Sequence, residues 1–247
     1  MNWYIGCSGF HYKEWKGVFY PDKLPQSKWF EYYSGQFNTL ELNVTFYRFP
    51  QLSFLRNWYK KSPDQFLFSV KAPRLITHYK QFIETKELLT DFYSSVRQGL
   101  QNKLGAVLFQ LPPQAIFTEE RLQRIINNLD ASFNNVVEFR NQSWWNKNVI
   151  KELTEHNISF CGISYPDLPD KAVANNSLVY YRFHGVPVLY KSSYADKEFQ
   201  EVAKTILKYQ PQNAFIYFNN TASAAALDNA SSFRRFLEGR LKSTIIK

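Results

Sequence analysis

Short apolar runs recur along the whole chain and alternate with stretches of helical spacing. The runs read WYIGC, NTLEL, FLFSV, GAVLFQ, NVVEF, SFCGI, LVYYRF and NAFIYF, and their length and composition predict buried strands. Helical spacing is present over residues 86–100, in TEERLQRIINNL with Thr118 as its N-cap, in NVIKELTEHN and in DKEFQEVAKTILKY. Strands that alternate with helices predict a parallel sheet, and eight such units in 247 residues fit a closed (β/α)8 TIM-like barrel. A doubly wound open sheet is the alternative.

Polar residues follow every predicted strand. The ends read CSGF, ELNVTFYRFP, KAPRLITH, QLPP, EFRN, SYPD, RFHG and FNN. In parallel α/β proteins, ligand sites are assembled where the carboxyl ends of the strands meet. Because stability alone does not require polar groups at that rim, we predict a functional site there. No linker or change of composition divides the chain, so we predict one domain over residues 1–247.

The segment NNVVEFRNQSWW begins like a buried strand and ends in charge. Alternation places Val136, Glu138 and Arg140 on one side of the strand, and Val137 and Phe139 on the other. A buried charge without a partner is costly. Glu138 and Arg140 therefore either form an internal ion pair, or face a polar space in which Arg140 binds an anion and Glu138 transfers protons.

The segment YYRFHG repeats this arrangement on a second strand. Its alternation places Tyr180, Arg182 and His184 on one side. Two arginines that point into one space repel each other unless an anion or an acid lies between them. The repetition therefore favours a functional reading of Arg182 and His184.

Composition and charge narrow the class of partner. The chain has 30 Lys+Arg and 21 Asp+Glu, a formal net charge of +9, which favours phosphorylated metabolites or nucleic acid. Its 22 Phe, 16 Tyr and 6 Trp suit flat ligands, although filling a core is the commoner use. Two cysteines form neither a disulfide framework nor a metal motif. Because no leader pattern or membrane-spanning run is seen, we expect a cytoplasmic protein without a membrane partner.

The strand ends also carry a family resemblance. In order, IGCSGFHYKEW, LELNVTFYRFP, FSVKAPRLITH, LFQLPP, VVEFRNQSWW, YYRFHG and FNN resemble the motifs of the YecE-like family, the domain of unknown function 72. The resemblance runs from Ile5 to beyond Asn220 and implies a TIM-like barrel, but no reaction, because the family's activity is not settled. After the last strand this chain reads FNNTASAAALDNA, where family members often carry histidine and other polar residues. Residues 221–226 therefore receive no predicted role.

The rim residues divide by chemistry into proton-transfer and binding candidates. We predict Glu41, Glu138 and His184 as catalytic acids and bases, although Glu41 is equally suited to be the counter-ion of Lys71. Lys71 can bind an anion, act as a base if its pKa is lowered, or form a Schiff base. The predicted substrate-binding residues are Ser8, Tyr12, Asn43, Tyr47, Lys71, Gln110, Arg140, Trp144, Arg182, Asn219 and Asn220.

A metal site is a weaker alternative. Metal-dependent sugar isomerases on barrels gather carboxylates and histidine from successive strands, and this chain offers Glu138, Asp167 and His184 in that order. The last carboxylate of such a set is replaced by Asn219. Three ligands are enough to hold Mg or Mn with water, whereas four histidines are too few for a trinuclear zinc nuclease. No cofactor is predicted.

The leading hypothesis is an enzyme that uses acid/base chemistry on a small anionic, sugar-like substrate. The alternatives are a nucleic-acid-binding protein that uses basic surface and aromatic stacking, a metal-dependent isomerase or epimerase, and a non-catalytic small-molecule sensor. No standard nucleic-acid-binding motif, dinucleotide fingerprint or P-loop is present in the sequence. Substrate, reaction and oligomeric state are not determined by these patterns.

Overall fold

The predicted apolar runs form strands, and all named strands pair in parallel. The fold is taken from a computed structural model that describes residues 1–245, with side chains described up to residue 239. Residues 246–247, which the predicted domain includes, lie outside the described residues. The strands are β1 Asn2–Cys7, β2 Thr39–Leu42, β3 Leu67–Lys71, β4 Leu104–Gln110, β5 Asn135–Glu138, β6 Ser159–Phe160, β7 Gly162–Ser164, β8 Leu178–Phe183 and β9 Asn213–Phe218.

The strands belong to two sheets, in the orders β1-β9-β8-β7 and β2-β3-β4-β5-β6. The sixth predicted strand is split because it changes partner at Cys161. Ser159 and Phe160 pair with β5, whereas Gly162 and the residues after it pair with β8. The predicted α/β class with parallel sheets is confirmed.

Eight α-helices connect the strands or follow them in the described part of the chain. Thr118 caps the fifth helix as predicted, because its hydroxyl accepts a hydrogen bond of 3.2 Å from the Arg121 N–H. Short 3-10 turns cover Lys13–Trp15, Gln26–Lys28, Gln101–Lys103 and Gln142–Trp144, and a π-helical turn covers Leu75–Tyr79. The α-helices are α1 Trp29–Gln36, α2 Val44–Tyr47, α3 Leu52–Lys61, α4 Lys86–Leu100, α5 Glu119–Asn128, α6 Lys147–Glu155, α7 Asp196–Tyr209 and α8 Ala225–Ile245.

The strand residues divide between two apolar clusters, as the alternation predicts. Val136 belongs to a cluster of strand side chains that includes Leu108, Tyr180 and Phe215. Val137 belongs to the larger cluster that also contains the buried helix residues. Side chains in phase with Val136 therefore face away from the helices, and this is the side on which the charged strand ends lie.

The two sheets approach each other between β1 and β2. Ser8, directly after β1, forms a parallel bridge with Glu41, and the Gly9 N–H donates to the Glu41 carbonyl at 2.9 Å. A Cβ atom on Gly6 would lie 2.3 Å from the Thr39 carbonyl oxygen, so only glycine permits this approach. In residues 1–245 no helix combines the length and the apolarity needed to cross a membrane.

Candidate functional site

A cavity of about 600 Å³ lies at the carboxyl ends of the strands. Lys71 and Gln110 are the last residues of β3 and β4, Arg140 follows β5, and Asn219 follows β9. The strand-end motifs therefore meet in space. The predicted site residues that line the cavity are Tyr12, Asn43, Tyr47, Lys71, Gln110, Arg140, Arg182 and Asn219.

A network of ion pairs lies beneath this cavity. Arg182 donates from Nη2 to Glu41 Oε1 at 2.6 Å and from Nη1 to Glu138 Oε2 at 2.5 Å, and all three side chains are fully buried. Arg140 Nε donates to the other oxygen of Glu138 at 2.6 Å. The hydroxyl of Tyr180 donates to Glu41 Oε2 at 2.6 Å. Every carboxylate oxygen of this network therefore accepts a hydrogen bond.

The arginines keep both carboxylates ionised. Burial opposes the charge of Glu138, but the charges of Arg182 and Arg140 outweigh burial and hold its pKa well below the usual range. Glu41 shows the same balance: burial opposes its charge, but the charge of Arg182 and the hydrogen bonds that the carboxylate accepts together lower its pKa. Arg140 and Arg182 would otherwise repel each other, and the carboxylate of Glu138 between them offsets this repulsion. Glu41 pairs with Arg182, not with Lys71.

His184 is buried and neutral. Burial, and then the charge of Arg182, lowers the pKa of His184 to about 3. Its Nδ1 is 2.9 Å from the amide nitrogen of Asn219, and its Nε2 is 3.6 Å from Glu138 Oε1. An amide N–H donated to Nδ1 leaves the proton on Nε2, directed toward Glu138. His184 therefore orients the carboxylate without adding charge.

Lys71 is buried at the cavity wall without a hydrogen-bond acceptor for its amine among the described residues. The residue is 7% exposed, and Nζ lies 4.1 Å from the centre of the Phe46 ring. Burial, then the charges of Arg182 and Arg140, lowers the pKa of Lys71 to about 7, and Glu138 and Glu41 only partly oppose this. A large fraction of the amine is therefore neutral near pH 7.

His78 also packs against Phe46, with ring centroids 5.0 Å apart. Burial, then the charges of Lys71 and Arg140, lowers the pKa of His78 to about 4. Its Nδ1 is 2.9 Å from the Thr77 hydroxyl, and its Nε2 is 3.4 Å from the Gln110 amide nitrogen. Because Gln110 donates to Nε2, the proton of neutral His78 lies on Nδ1, and the Nε2 lone pair points toward the cavity residue Gln110.

Four cationic side chains line the cavity, namely Lys71, Arg74, Arg140 and Arg182, and no acidic residue of the described chain does. Arg140 uses only Nε in a protein hydrogen bond within residues 1–239, so its two terminal nitrogens are available. The Nε of Arg182 is buried and has no partner in the same part of the chain.

Six predicted site residues do not line the cavity. Glu41, Glu138, His184 and Ser8 are fully buried in the layer beneath it. Trp144 is buried in the apolar cluster that includes the helices, where it stacks on Phe139 at 4.2 Å and donates to the Ala115 carbonyl at 2.6 Å. The structure corrects its predicted position because the turn after β5 directs the indole away from the strand ends. Asn220 instead joins two segments of the chain by donating to the Ser192 carbonyl at 2.9 Å.

The structure does not support the alternative metal set. Glu138 and His184 are neighbours, but Asp167 is exposed in the loop after β7 at a φ of 62°. Residues 1–239 contain no group of three or more His, Cys, Asp or Glu side chains that could hold a metal ion. The order of these residues along the chain suggested a shared site, but the loop after β7 places Asp167 at the surface, outside the buried layer.

Eight residues that line the cavity are not among the predicted site residues, namely Phe46, Arg74, His78, Tyr79, Pro112, Pro113, Gln114 and Tyr190. Arg74, His78 and Tyr79 stand in or next to the turn Leu75–Tyr79, which follows the third strand-end motif. Phe46 lies in the second strand-end motif. Arg74, His78, Tyr79 and Phe46 thus all follow a strand, and this position could have identified them as candidates. Tyr190 lies far from its strand end and enters the cavity through the loop after β8, and the sequence offers no signal for it.

A second cavity, also of about 600 Å³, lies between α4 and residues 127–133. It contains Lys86 and Arg97, but Arg97 is engaged by the Ser132 hydroxyl and by the Phe133 ring, and Asp130 adds a negative charge. None of the strand-end motifs reaches it. The cavity at the strand ends is therefore the stronger candidate site.

Comparison with known proteins agrees with this architecture. The family model described as "Protein of unknown function DUF72" matches residues 4–246. The chain belongs to the DUF72 family. It is 26% identical to UPF0759 protein YunF of Bacillus subtilis over 95% of this chain and 94% of YunF. It is 29% identical to YecE of Escherichia coli strain K12 over 47% of this chain and 43% of YecE, so the YecE-like resemblance is confirmed.

A solved DUF72 structure from Thermotoga maritima shares the fold. Its TM-score to this chain is 0.85 at 26% sequence identity, over 96% of this chain and 99% of that chain. Residues 221–226, which received no predicted role, lie at the start of the segment that leads from β9 into α8. There the Ser223 carbonyl accepts a hydrogen bond of 3.1 Å from the Trp15 indole, so the segment packs on the first strand-end motif.

Proposed function

We propose that this DUF72 protein is an enzyme that binds a small anionic substrate, phosphorylated or carboxylated, at the carboxyl ends of its strands. The observation that carries the proposal is the guanidinium of Arg140. Its Nε is held by Glu138, while its two terminal nitrogens have no acceptor within the described chain and belong to a side chain that lines the cavity. Two coplanar N–H donors match the oxygens of a carboxylate or a phosphate.

The charges around the cavity support the same substrate class. Lys71 and Arg74 line it together with Arg140 and Arg182, without an acidic residue among the described ones. The carboxylates of Glu41 and Glu138 lie deeper and already pair with arginine. Cations grouped around a concave surface attract an anion and exclude other cations.

We assign proton transfer to the groups that reach the cavity. Glu41 and Glu138 already accept hydrogen bonds at every oxygen, and both have a lowered pKa, which suits a fixed counter-charge better than an acid. We therefore place Glu41, Glu138 and His184 in the proposal as the residues that hold the arginines in position. Lys71 and His78 are the proposed bases, because each can accept a proton in its neutral form. With a pKa of about 7, a large fraction of Lys71 is neutral near pH 7, and with a pKa of about 4, His78 is neutral there.

We also propose that the two sheets close into one TIM-like barrel that forms a single domain over residues 1–247. At one junction the Gly9 N–H donates to the Glu41 carbonyl, and at the other the Cys161 N–H donates to the Val137 carbonyl, both at 2.9 Å. A crystal structure in which either junction is open would contradict closure.

The two cysteines, Cys7 and Cys161, are buried and form no disulfide, which suits the cytoplasmic location that we propose.

Binding of inorganic phosphate tests the proposal directly. Phosphate should stabilise the wild-type protein in a thermal-shift titration, because a ligand that binds only the folded state raises its stability. Arg140→Gln should weaken the apparent affinity by roughly tenfold to a hundredfold, as expected for the loss of a charge-assisted pair of hydrogen bonds.

The matched control is Arg97→Gln, which removes an arginine from the second cavity of similar size. That variant should bind phosphate like the wild type. Loss of binding in Arg97→Gln with retention in Arg140→Gln would move the site to the second cavity. Stabilisation by short oligonucleotides alone, with no response to phosphate, would favour the nucleic-acid-binding alternative and contradict the proposal.

A further inference from the structure

Lys71 differs in its surroundings from the other buried lysine of the described chain, Lys103. The amine of Lys103 donates to the Tyr59 carbonyl at 3.0 Å, to the Ser62 carbonyl at 2.8 Å and to the Ser62 hydroxyl at 3.0 Å. Within residues 1–239, the amine of Lys71 contacts only the face of Phe46, at 4.1 Å. Burial of an amine is normally offset by such hydrogen bonds, so the position of Lys71 requires another explanation.

The nearby carboxylates are not available to Lys71. Both oxygens of Glu41 are engaged, by Arg182 and Tyr180, and both oxygens of Glu138 are engaged, by Arg182 and Arg140. The amine is therefore buried among cations, and no described residue supplies an acceptor of its own. This arrangement favours the neutral amine, whose lone pair is a nucleophile.

The cavity also places a base and an anion anchor near this amine. His78 contacts the same Phe46 ring, with centroids 5.0 Å apart, and is held neutral by its surroundings. Arg140 lines the same cavity with two free terminal nitrogens among the described residues. A substrate whose anionic end binds Arg140 is thus held in a cavity whose wall includes the Lys71 amine.

We propose that Lys71 forms an imine with the carbonyl carbon of a small substrate that also carries a carboxylate or a phosphate. This inference rests on the proposed function and names the substrate class and the nucleophile of that site. Nζ attacks the carbonyl carbon, a C–N bond forms, and the carbonyl electron pair moves to oxygen. His78 transfers one proton from the nitrogen to the oxygen, which gives the carbinolamine. It then transfers the second nitrogen proton to the hydroxyl, so the C–O bond breaks and water leaves as the C=N bond forms. The sum is amine plus carbonyl giving imine plus water, without an oxidant or a reductant.

Reductive trapping tests the inference without a variant. The wild-type protein is incubated with pyruvate or dihydroxyacetone phosphate and sodium cyanoborohydride, which reduces the imine to a stable secondary amine. The mass of the protein should rise by that of the probe minus one water plus two hydrogens, and peptide mapping should place the change on Lys71. At pH 7, labelling of Lys71 should exceed that of Lys103 by at least about tenfold, because Lys71 lines the cavity whereas the amine of Lys103 is engaged in three hydrogen bonds.

Three controls separate the imine from adventitious modification. Lactate keeps the carboxylate of pyruvate but lacks the carbonyl, so it should give no product. Lys71→Arg replaces the primary amine by a guanidinium and should abolish the modification at this position. Inorganic phosphate should compete with either probe through Arg140. A preference for dihydroxyacetone phosphate over pyruvate would indicate a phosphate substrate, and the reverse a carboxylate.

Equal labelling of Lys71 and Lys103, or no labelling with either probe, would overturn the inference. If phosphate still binds through Arg140 in that case, the proposed anion site stands and only the imine is wrong. If phosphate binding is also absent, the proposed function fails together with the inference.

Discussion

Arg182 on β8 donates a hydrogen bond of 2.5 Å to Glu138 on β5, and neither side chain is exposed. The same guanidinium binds Glu41 at 2.6 Å. A buried arginine between two carboxylates is stable only while its partners are charged, since removal of one partner leaves an uncompensated buried charge. This contact therefore links the charge state of the site to the stability of the fold.

Glu138→Gln should be strongly destabilising. The substitution keeps the shape of the side chain but removes the charge that pairs with Arg182 and Arg140, and loss of one partner from a buried pair typically costs about 3–5 kcal/mol. Urea denaturation measures the difference in the free energy of unfolding. The control is Glu120→Gln, whose ion pair with Arg124 lies at the surface, and its midpoint should match the wild type. An unchanged midpoint in Glu138→Gln would show that the network does not stabilise the fold.

Tyr180→Phe should be destabilising by about 2 kcal/mol, the typical worth of a buried hydrogen bond to a charged group. The variant removes the hydroxyl that donates to Glu41 at 2.6 Å and leaves one carboxylate oxygen without its donor. Tyr209→Phe is the control, because Tyr209 is exposed at the end of α7. Denaturation curves that coincide for the two variants would mean that water replaces the lost donor.

Lys71 should make the stability of the protein depend on pH above neutrality. Its pKa is about 7 in the folded chain against 10.5 in the unfolded chain, so the unfolded state binds more protons between these values. Stability of the wild type should therefore rise with pH from about 7 to 10.5, relative to Lys71→Met, which lacks the titrating group. At pH 7 the variant should be the more stable protein, by as much as on the order of 4 kcal/mol.

The measurement is urea denaturation of both proteins across that pH range. The difference between them should shrink as pH rises, because the unfolded lysine also becomes neutral. A difference that does not change with pH would mean that the folded lysine titrates like an exposed one. That result would also remove the support that its pKa lends to the imine.

Gly6→Ala should disrupt the approach of β1 to β2. The added Cβ would lie 2.3 Å from the Thr39 carbonyl oxygen, and a backbone atom in a sheet cannot move without cost. We expect a loss of about 1–3 kcal/mol or more, measured by denaturation. Gly35→Ala is the matched control: apart from its chain neighbours and its own helix backbone, no atom of the described residues lies within 4 Å of a Cβ at this position. Alanine in helix α1 is neutral or stabilising by up to about 1 kcal/mol. Similar midpoints in the two variants would contradict the close approach.

The sequence by itself determined the order of the elements and the rim at which the site lies. Apolar runs and helical spacing are local signals, so they located α4 and α7 with the bounds that the structure shows. Period-two alternation also determined that Glu138 and Arg140 share one side of β5. These properties depend on the covalent chain and on backbone geometry, which are the same in every context.

Only the tertiary structure decided which charges meet and which groups the cavity can reach. Arg182 and Glu41 are 141 residues apart, and no local pattern specifies that pair over Glu41 with Lys71. The amines of Lys71 and Lys103 differ in their hydrogen bonds and in their surroundings, and both properties depend on which segments pack together. The alternation of side chains predicted a charged end for each strand, but the balance of desolvation and Coulomb interaction at that end is set by residues from distant strands.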